Sequence, residues 1–250
     1  MWHDIERLKM KIRAFTLAET LVVIGIIGVV ASLTLPNLNQ STGNKEKVVK
    51  VKKIYQNLVN ALGRAEVKYG PMRTWPGIVN GEGLSAVTVG SRITDFLKVS
   101  KVCGATYQGC FIQPGTWKRL AINLQDGCAY FITIYSFVLA DGTAILVRQH
   151  PGPGIDFWVD IDGADKGQSK LGVDIFVFSI FYNENQNRNT NLNELEPNCN
   201  YGWTDAQIIS NLKNTATSGG VCAAKWVIDY DNMDYLKCLN SLSATVTTCK

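Results

Sequence analysis

One apolar stretch, from Thr20 to Leu35, contains no charged side chain and constrains the fold more than any other part of the chain. Counted from Phe15, the run is 21 residues long, and Glu19 is the only charged residue in it. As a helix it would measure roughly 30 Å, which matches the apolar core of one bilayer. A core helix of a soluble domain normally has a charged face, and this run has none. The sequence therefore predicts a membrane segment.

Two common kinds of apolar N-terminal segment explain this run less well. A secretory signal peptide has an apolar region of about 7–15 residues and a small-residue cleavage site. This run is longer, and residues 29–32 match such a cleavage site poorly. A plain signal anchor accounts for the run but not for Glu19, because a carboxylate inside an apolar helix is costly unless it is paired. Basic residues flank the run on both sides, so their count does not orient it.

The start of the run resembles a known processing signal. The cleavage and methylation signal of type IV prepilins and type II secretion pseudopilins is similar to the segment Lys11-Ile12-Arg13-Ala14-Phe15-Thr16-Leu17-Ala18-Glu19. In that family a short basic leader ends just before a phenylalanine, and a glutamate stands fifth in the mature chain, where Phe15 and Glu19 stand here. Pro36 matches the family's helix-kinking proline, and Ala14 stands where the family usually has glycine.

The resemblance implies a leader at 1–14, an N-terminal helix at 15–69 with a transmembrane and assembly segment at 15–35, and a globular head at 70–250. Prepilin peptidase would cut between Ala14 and Phe15, and the new amine would be methylated. Glu19 would then meet the amine of a neighbouring subunit and set the assembly register. The implied partners are the peptidase, other pilin or pseudopilin subunits, an inner-membrane assembly platform and the membrane. The implied location is the bacterial inner membrane, as a single-pass protein, and then a periplasmic or extracellular filament.

Beyond the apolar run the pattern predicts a helical stem. Pro36 is expected to kink or break the helix, since proline lacks an N–H and clashes with the preceding turn. Helical periodicity then resumes in Val51, Ile54, Tyr55, Leu58, Leu62, Ala65 and Tyr69. This apolar stripe is expected to pack on the head, and Gly70-Pro71 is a stop signal. The lysines at 45–53 are expected to form a solvated face, with contact to lipid or to a neighbouring subunit as the alternative.

From Gly70 onward short strands and turns are predicted. The predicted strands are Leu120–Leu124, Cys128–Leu139, Thr143–Gln149, Phe157–Ile161, Asp174–Phe181 and, as a last strand, Val221–Asp229. Asp141-Gly142 predicts a hairpin, and Thr204 to Gln207 is a capping box that opens a short helix to about Lys213. The Asn-rich residues 183–202 predict a long exposed loop. The expected fold class is α+β, with the long N-terminal α-helix packed on an antiparallel sheet as the pilin resemblance implies.

Four aspartates form a candidate cation site in the head. Asp160, Asp162, Asp165 and Asp174 stand near glycines, and oxygen ligands at alternate positions around a glycine turn suit calcium. Turn chemistry, in which aspartate and glycine satisfy the backbone, is the alternative. The stretches around Gly163 and Gly172 also resemble a region of pilin-like secretion proteins, some of which bind calcium there.

All seven cysteines lie beyond residue 100, which indicates an oxidising compartment for the head. The candidate disulfides are Cys103–Cys110, Cys199–Cys222 and Cys238–Cys249, and Cys128 is the candidate for a free thiol. A cysteine–histidine nucleophile with His150 would need a thiolate that oxidation removes. The chain carries none of the common hydrolase, nucleotide or zinc motifs, so it is not expected to be an enzyme.

Composition excludes several other classes of protein. Charged residues are 18% and aromatic residues 10%, which excludes a disordered chain. A net charge of +4 without an arginine-rich stripe indicates no nucleic-acid partner. Two function classes remain: a pilin or pseudopilin that polymerises through its N-terminal helix, and an anchored envelope protein whose head binds a ligand or a surface without polymerising. A head of about 180 residues with a long loop favours a minor subunit of a filament.

Overall fold

The fold is α+β. The computed structural model describes residues 17–76, 85–113, 116–118, 120, 133–149, 154–164, 166–181, 194–199, 203–215 and 219–249. Its helices are α1 (Leu17–Tyr69), α2 (Ser85–Thr94), α3 (Asp205–Lys213), α4 (Ala223–Tyr230) and α5 (Tyr235–Cys238). Its strands are β1 (Val99–Gly104), β2 (Ile134–Leu139), β3 (Ala144–Gln149), β4 (Gly154–Asp160), β5 (Ile175–Phe181) and β6 (Glu196–Pro197).

The chain divides into two compact units, Met1–Gly43 and Asn44–Lys250, and α1 contributes residues to both. The backbone is helical on both sides of Pro36, so the proline does not break the helix. A kink at Pro36 stays a prediction. The helix stops after Tyr69 as predicted, because Gly70 adopts a φ of +85° and Pro71 follows it. None of the helices in the described residues combines the length and apolar character that a membrane span needs.

In the second unit the described strands form one antiparallel sheet in the order β1-β2-β3-β4-β5-β6. Asp141-Gly142 connects β2 to β3 as predicted, and Gly142 has the positive φ that this tight turn requires. The predicted strands at 143–149, 157–161 and 174–181 correspond to β3, β4 and β5 within a few residues. Of the predicted strand 128–139, only residues 134–139 are seen as β2, and residues 121–132 lie outside the described part.

The strands β3 to β5 are buried on both faces of the sheet, whereas the edge strand β1 is mostly exposed. One face packs against the buried stripe of α1, where the Tyr55 ring stacks on Phe178 at 5.4 Å between centroids. The other face is covered by the segment after β1, and Trp117 lies 4.5 Å from Trp158 between ring centroids. Because both faces are covered, β3 to β5 carry nearly continuous apolar runs instead of an alternating pattern.

The predicted stripe of α1 is confirmed as part of the core. Five of its residues are at most 4% exposed: Val51, Ile54, Leu58, Leu62 and Ala65. The predicted lysine face is at least partly solvated, and three of its lysines also pair with carboxylates of the head. Lys47 lies 3.4 Å from Asp162, Lys52 lies 2.8 Å from Asp231, and Lys53 lies 3.4 Å from Asp141.

Two predictions for the last third of the chain are wrong. Residues 221–229 are mostly the helix α4, because Ala223, Trp226 and Val227 are buried at helical spacing despite their strand-like composition. Residues 194–199, inside the predicted exposed loop, contain β6 and the buried Leu195. The capping box before α3 is confirmed, since the Thr204 N–H donates to Gln207 Oε1 at 2.8 Å.

Candidate functional site

The first described turns of α1 carry an uncovered apolar surface. Every residue from Leu17 to Val30 is exposed, although nearly all of them are apolar. The large apolar residues are between 50% and 80% exposed, namely Leu17, Leu21, Val22, Val23, Ile24, Ile26, Ile27, Val29 and Val30. Soluble monomers rarely expose a contiguous apolar surface of this extent, and such a surface marks contact with another protein or a membrane.

Glu19 lies in the first turn of α1 and is exposed. A carboxylate there interacts favourably with the helix dipole. The predicted cleavage residues Ala14 and Phe15 lie outside the described residues, so processing between them stays a prediction. The predicted assembly proline, Pro36, lies within the helical backbone of α1, and its role in assembly stays a prediction.

The candidate cation site lies where β4 ends and β5 begins. Asp160 is fully buried, and its Oδ1 accepts the backbone N–H groups of Asp162 and Gly163, each at 3.1 Å. Its Oδ2 has no hydrogen-bond partner among the described residues. Burial, and then the charge of Asp174, raise the pKa of Asp160 to about 7.

The other aspartates of this turn already have partners. Asp174 is fully buried and accepts the backbone N–H groups of Gln168 and Lys170. Asp162 faces Lys47, whose ammonium also donates to the Val173 carbonyl at 3.1 Å. These contacts agree with the turn interpretation.

Within the described part of the chain, no three His, Cys, Asp or Glu side chains are grouped so as to hold a metal ion. Asp165 lies outside that part. Calcium therefore stays a prediction, and no step of the proposed function depends on it.

All three candidate disulfides are confirmed: Cys103–Cys110, Cys199–Cys222 and Cys238–Cys249. They tie β1 to the segment after it, the residues just after β6 to the start of α4, and α5 to the C-terminal residues. These six cysteines have no thiolate, so they supply no nucleophile. Cys128 and His150 lie outside the described residues.

A groove beside α1 was not predicted. It has a volume of about 410 Å³ and is lined by Lys53, Asn57, Asn60, Arg64, Phe96, Leu97, Lys98, Leu139, Ala140 and Asp141. The four α1 residues stand at i, i+4, i+7 and i+11, which places them on one helical face. That spacing was visible in the sequence. The opposite wall could not be predicted, because the loop before β1 and the β2–β3 hairpin, which form it, come beside α1 only in the folded chain.

Comparison with known proteins identifies no family for this chain. The chain matches no family model, no curated protein and no solved structure.

Proposed function

We propose that this chain is a structural subunit, a pilin or pseudopilin and a minor one, of a type IV pilus or a type II secretion filament. It would be cut between Ala14 and Phe15, held in the inner membrane by its N-terminal helix, and polymerised through that helix. The proposal assigns no catalysis to the head. The observation that carries it is the surface of α1 from Leu17 to Val30, which is apolar and exposed all around the helix.

This surface needs an apolar environment, and the proposal supplies two in succession. Before assembly the lipid would cover it, and after assembly the same segments of neighbouring subunits would. Apolar helices associate through close van der Waals contact, which by itself leaves their axial register poorly defined. A carboxylate at Glu19 that meets the amine of a neighbour would select one register, since a misplaced charge in an apolar bundle is penalised heavily.

Glu19→Ala tests the proposal, with Glu46→Ala as its matched control. Both variants remove an exposed glutamate from the same helix, but only Glu19 lies within the apolar run. In the native cells we expect at least about a hundredfold less Glu19→Ala protein in the filament fraction, because the loss of one partner from a buried charge pair costs about 3–5 kcal/mol. Membrane insertion and the three disulfides should be unchanged.

Two results would count against the proposal. Wild-type assembly of Glu19→Ala would remove Glu19 from the mechanism. The absence of any polymer, even from the unaltered chain, would favour the non-polymerising anchored envelope protein.

A further inference from the structure

The groove beside α1 presents polar side chains that bind nothing within the described part of the chain. Asn57, Asn60 and Lys98 line it, and their side chains have no hydrogen-bond or ion-pair partner among the described residues. An asparagine amide offers two donors and one acceptor. The groove is therefore equipped for a ligand that brings donors and acceptors of its own.

A fixed arginine lies at the end of the same helix face. The Arg64 guanidinium lies over the Phe96 ring, 5.0 Å from the ring centroid. Neither Arg64 nor Lys98 pairs with a carboxylate of the described residues. A guanidinium held in place by a ring is suited to a carboxylate, because its planar fork can donate two parallel hydrogen bonds.

The single carboxylate among the lining residues belongs to Asp141. It pairs with Lys53 at 3.4 Å. Burial opposes its ionisation, but hydrogen bonds from Thr143 and Lys53 and the charge of Lys50 hold the pKa of Asp141 below its ordinary value. Asp141 therefore stays ionised, so it accepts hydrogen bonds from a ligand and repels a dense anion such as phosphate.

The dimensions of the groove suit an extended peptide. Its α1 wall runs from Lys53 to Arg64, which is roughly 16 Å of helix, and an extended chain of about five residues has that length. Asn57 and Asn60 are neighbours on the helix surface, so their amides can bond the N–H and C=O groups of such a backbone. Alternate side chains of the peptide point the same way, and acidic ones there would meet Arg64 and Lys98.

Nucleotides and sugar acids suit the groove less well. Both use an open aromatic face, on which a base or a sugar ring can pack. Phe96 is the single aromatic residue among the lining residues. The guanidinium of Arg64 already covers its ring, and the Lys68 ammonium lies 5.7 Å from the same centroid. The charge of Asp141 also opposes a phosphate.

We infer that the groove beside α1 binds an acidic, extended segment of a different protein. Asn57 and Asn60 bond its backbone, and Arg64 and Lys98 bond its carboxylates. Main-chain bonds supply affinity in this mode of recognition, and opposite charge fixes the orientation of the partner. The inference gives the head a binding role and does not rest on polymerisation, since every residue that carries it belongs to the second unit.

Fluorescence anisotropy of a labelled peptide on the full-length chain, extracted in a neutral detergent, tests the inference. The probe has seven residues, alternating glutamate and serine, with both ends blocked. We expect it to bind with a Kd below about 1 mM, and to bind more weakly at higher salt. The same peptide with glutamine for glutamate, or with methyl groups on alternate backbone nitrogens, should each bind at least about tenfold more weakly.

Variants of the groove separate backbone recognition from general attraction. Arg64→Gln and Lys98→Gln should each weaken the acidic peptide about tenfold, whereas Lys237→Gln, which removes an exposed lysine of α5, should leave it unchanged. A double Asn57→Ala, Asn60→Ala variant should bind the acidic peptide only as well as the N-methylated one. The three disulfides and the melting temperature of the head report that each variant is folded.

Several results would overturn the inference. One is the absence of binding by the unaltered chain, and another is equal binding of the acidic and the glutamine peptide. A third is polygalacturonate or pyrophosphate that binds as tightly as the acidic peptide, which would indicate a sugar-acid or phosphate site. Self-association of the chain that the acidic peptide abolishes would make a second copy the occupant. None of these results depends on Glu19 or on cleavage before Phe15, so the proposed function is tested separately.

Discussion

The two parts of α1 both carry many apolar residues but differ in their exposure. From Leu17 to Val30 every residue is exposed, whereas between Val48 and Ala65 the apolar stripe lies in the core of the head. The second part alternates apolar residues with lysines, asparagines and acids, so it can face the sheet and water at once. The first part lacks charged positions after Glu19 and has no such division. The comparison teaches that a helix can be buried along one face and solvated along the other only where its sequence divides apolar from polar residues.

Reduction of the disulfides should give the largest difference in stability between the two regions. The three bridges all lie in the second unit, and each typically contributes about 2–4 kcal/mol by restricting the unfolded chain. We expect reductant to lower the melting temperature of the head by roughly 10 °C or more. Thermal unfolding can be followed by the near-ultraviolet circular dichroism of the buried tryptophans Trp75, Trp117 and Trp226. An unchanged melting temperature, or six free thiols in native protein, would contradict the disulfides.

A pH titration should affect the head through Asp160. Its folded pKa of about 7 lies above its unfolded value near 4, so the folded state binds more protons between these limits. The free energy of unfolding should therefore be greatest near pH 4 for this group and fall as pH rises to about 7, by at most about 4 kcal/mol. Asp160→Asn should flatten this part of the profile. The free energy of unfolding is measured in urea at each pH. If it changes with pH by the same amount in both proteins, Asp160 is not the titrating group.

A matched pair of truncations tests the comparison directly. Leu58 is fully buried and Leu21 is 62% exposed, although both lie in α1. Leu58→Ala should cost the head about 3 kcal/mol, since it leaves a cavity in a packed core. Leu21→Ala should change the unfolding of the head by less than about 0.5 kcal/mol. Similar losses from both variants in denaturant unfolding would mean that the first part also has a covering surface within the chain.

Sequence patterns found the elements whose signals are local. The Asp141-Gly142 turn, the capping box at Thr204 and the disulfides Cys103–Cys110 and Cys238–Cys249 depend on nearby residues, whereas Cys199–Cys222 joins residues 23 positions apart. The helix α2 was missed, because Ser85–Thr94 is rich in small and β-branched residues and is helical for a tertiary reason. There Gly90 lies so close to Tyr135 that an added Cβ would clash with the tyrosine ring. The groove beside α1 was missed for the same reason, since its two walls meet only in the folded head.

The mass and N-terminal sequence of the protein from its own cells test the central claim most directly. The account predicts a mature chain that begins at a methylated Phe15, with Glu19 as its fifth residue and the three disulfides intact. A chain that begins at Met1, or one cut after Ala31, would contradict it. In both cases the exposed segment from Leu17 to Val30 would belong to an ordinary anchor or signal peptide and not to an assembly helix.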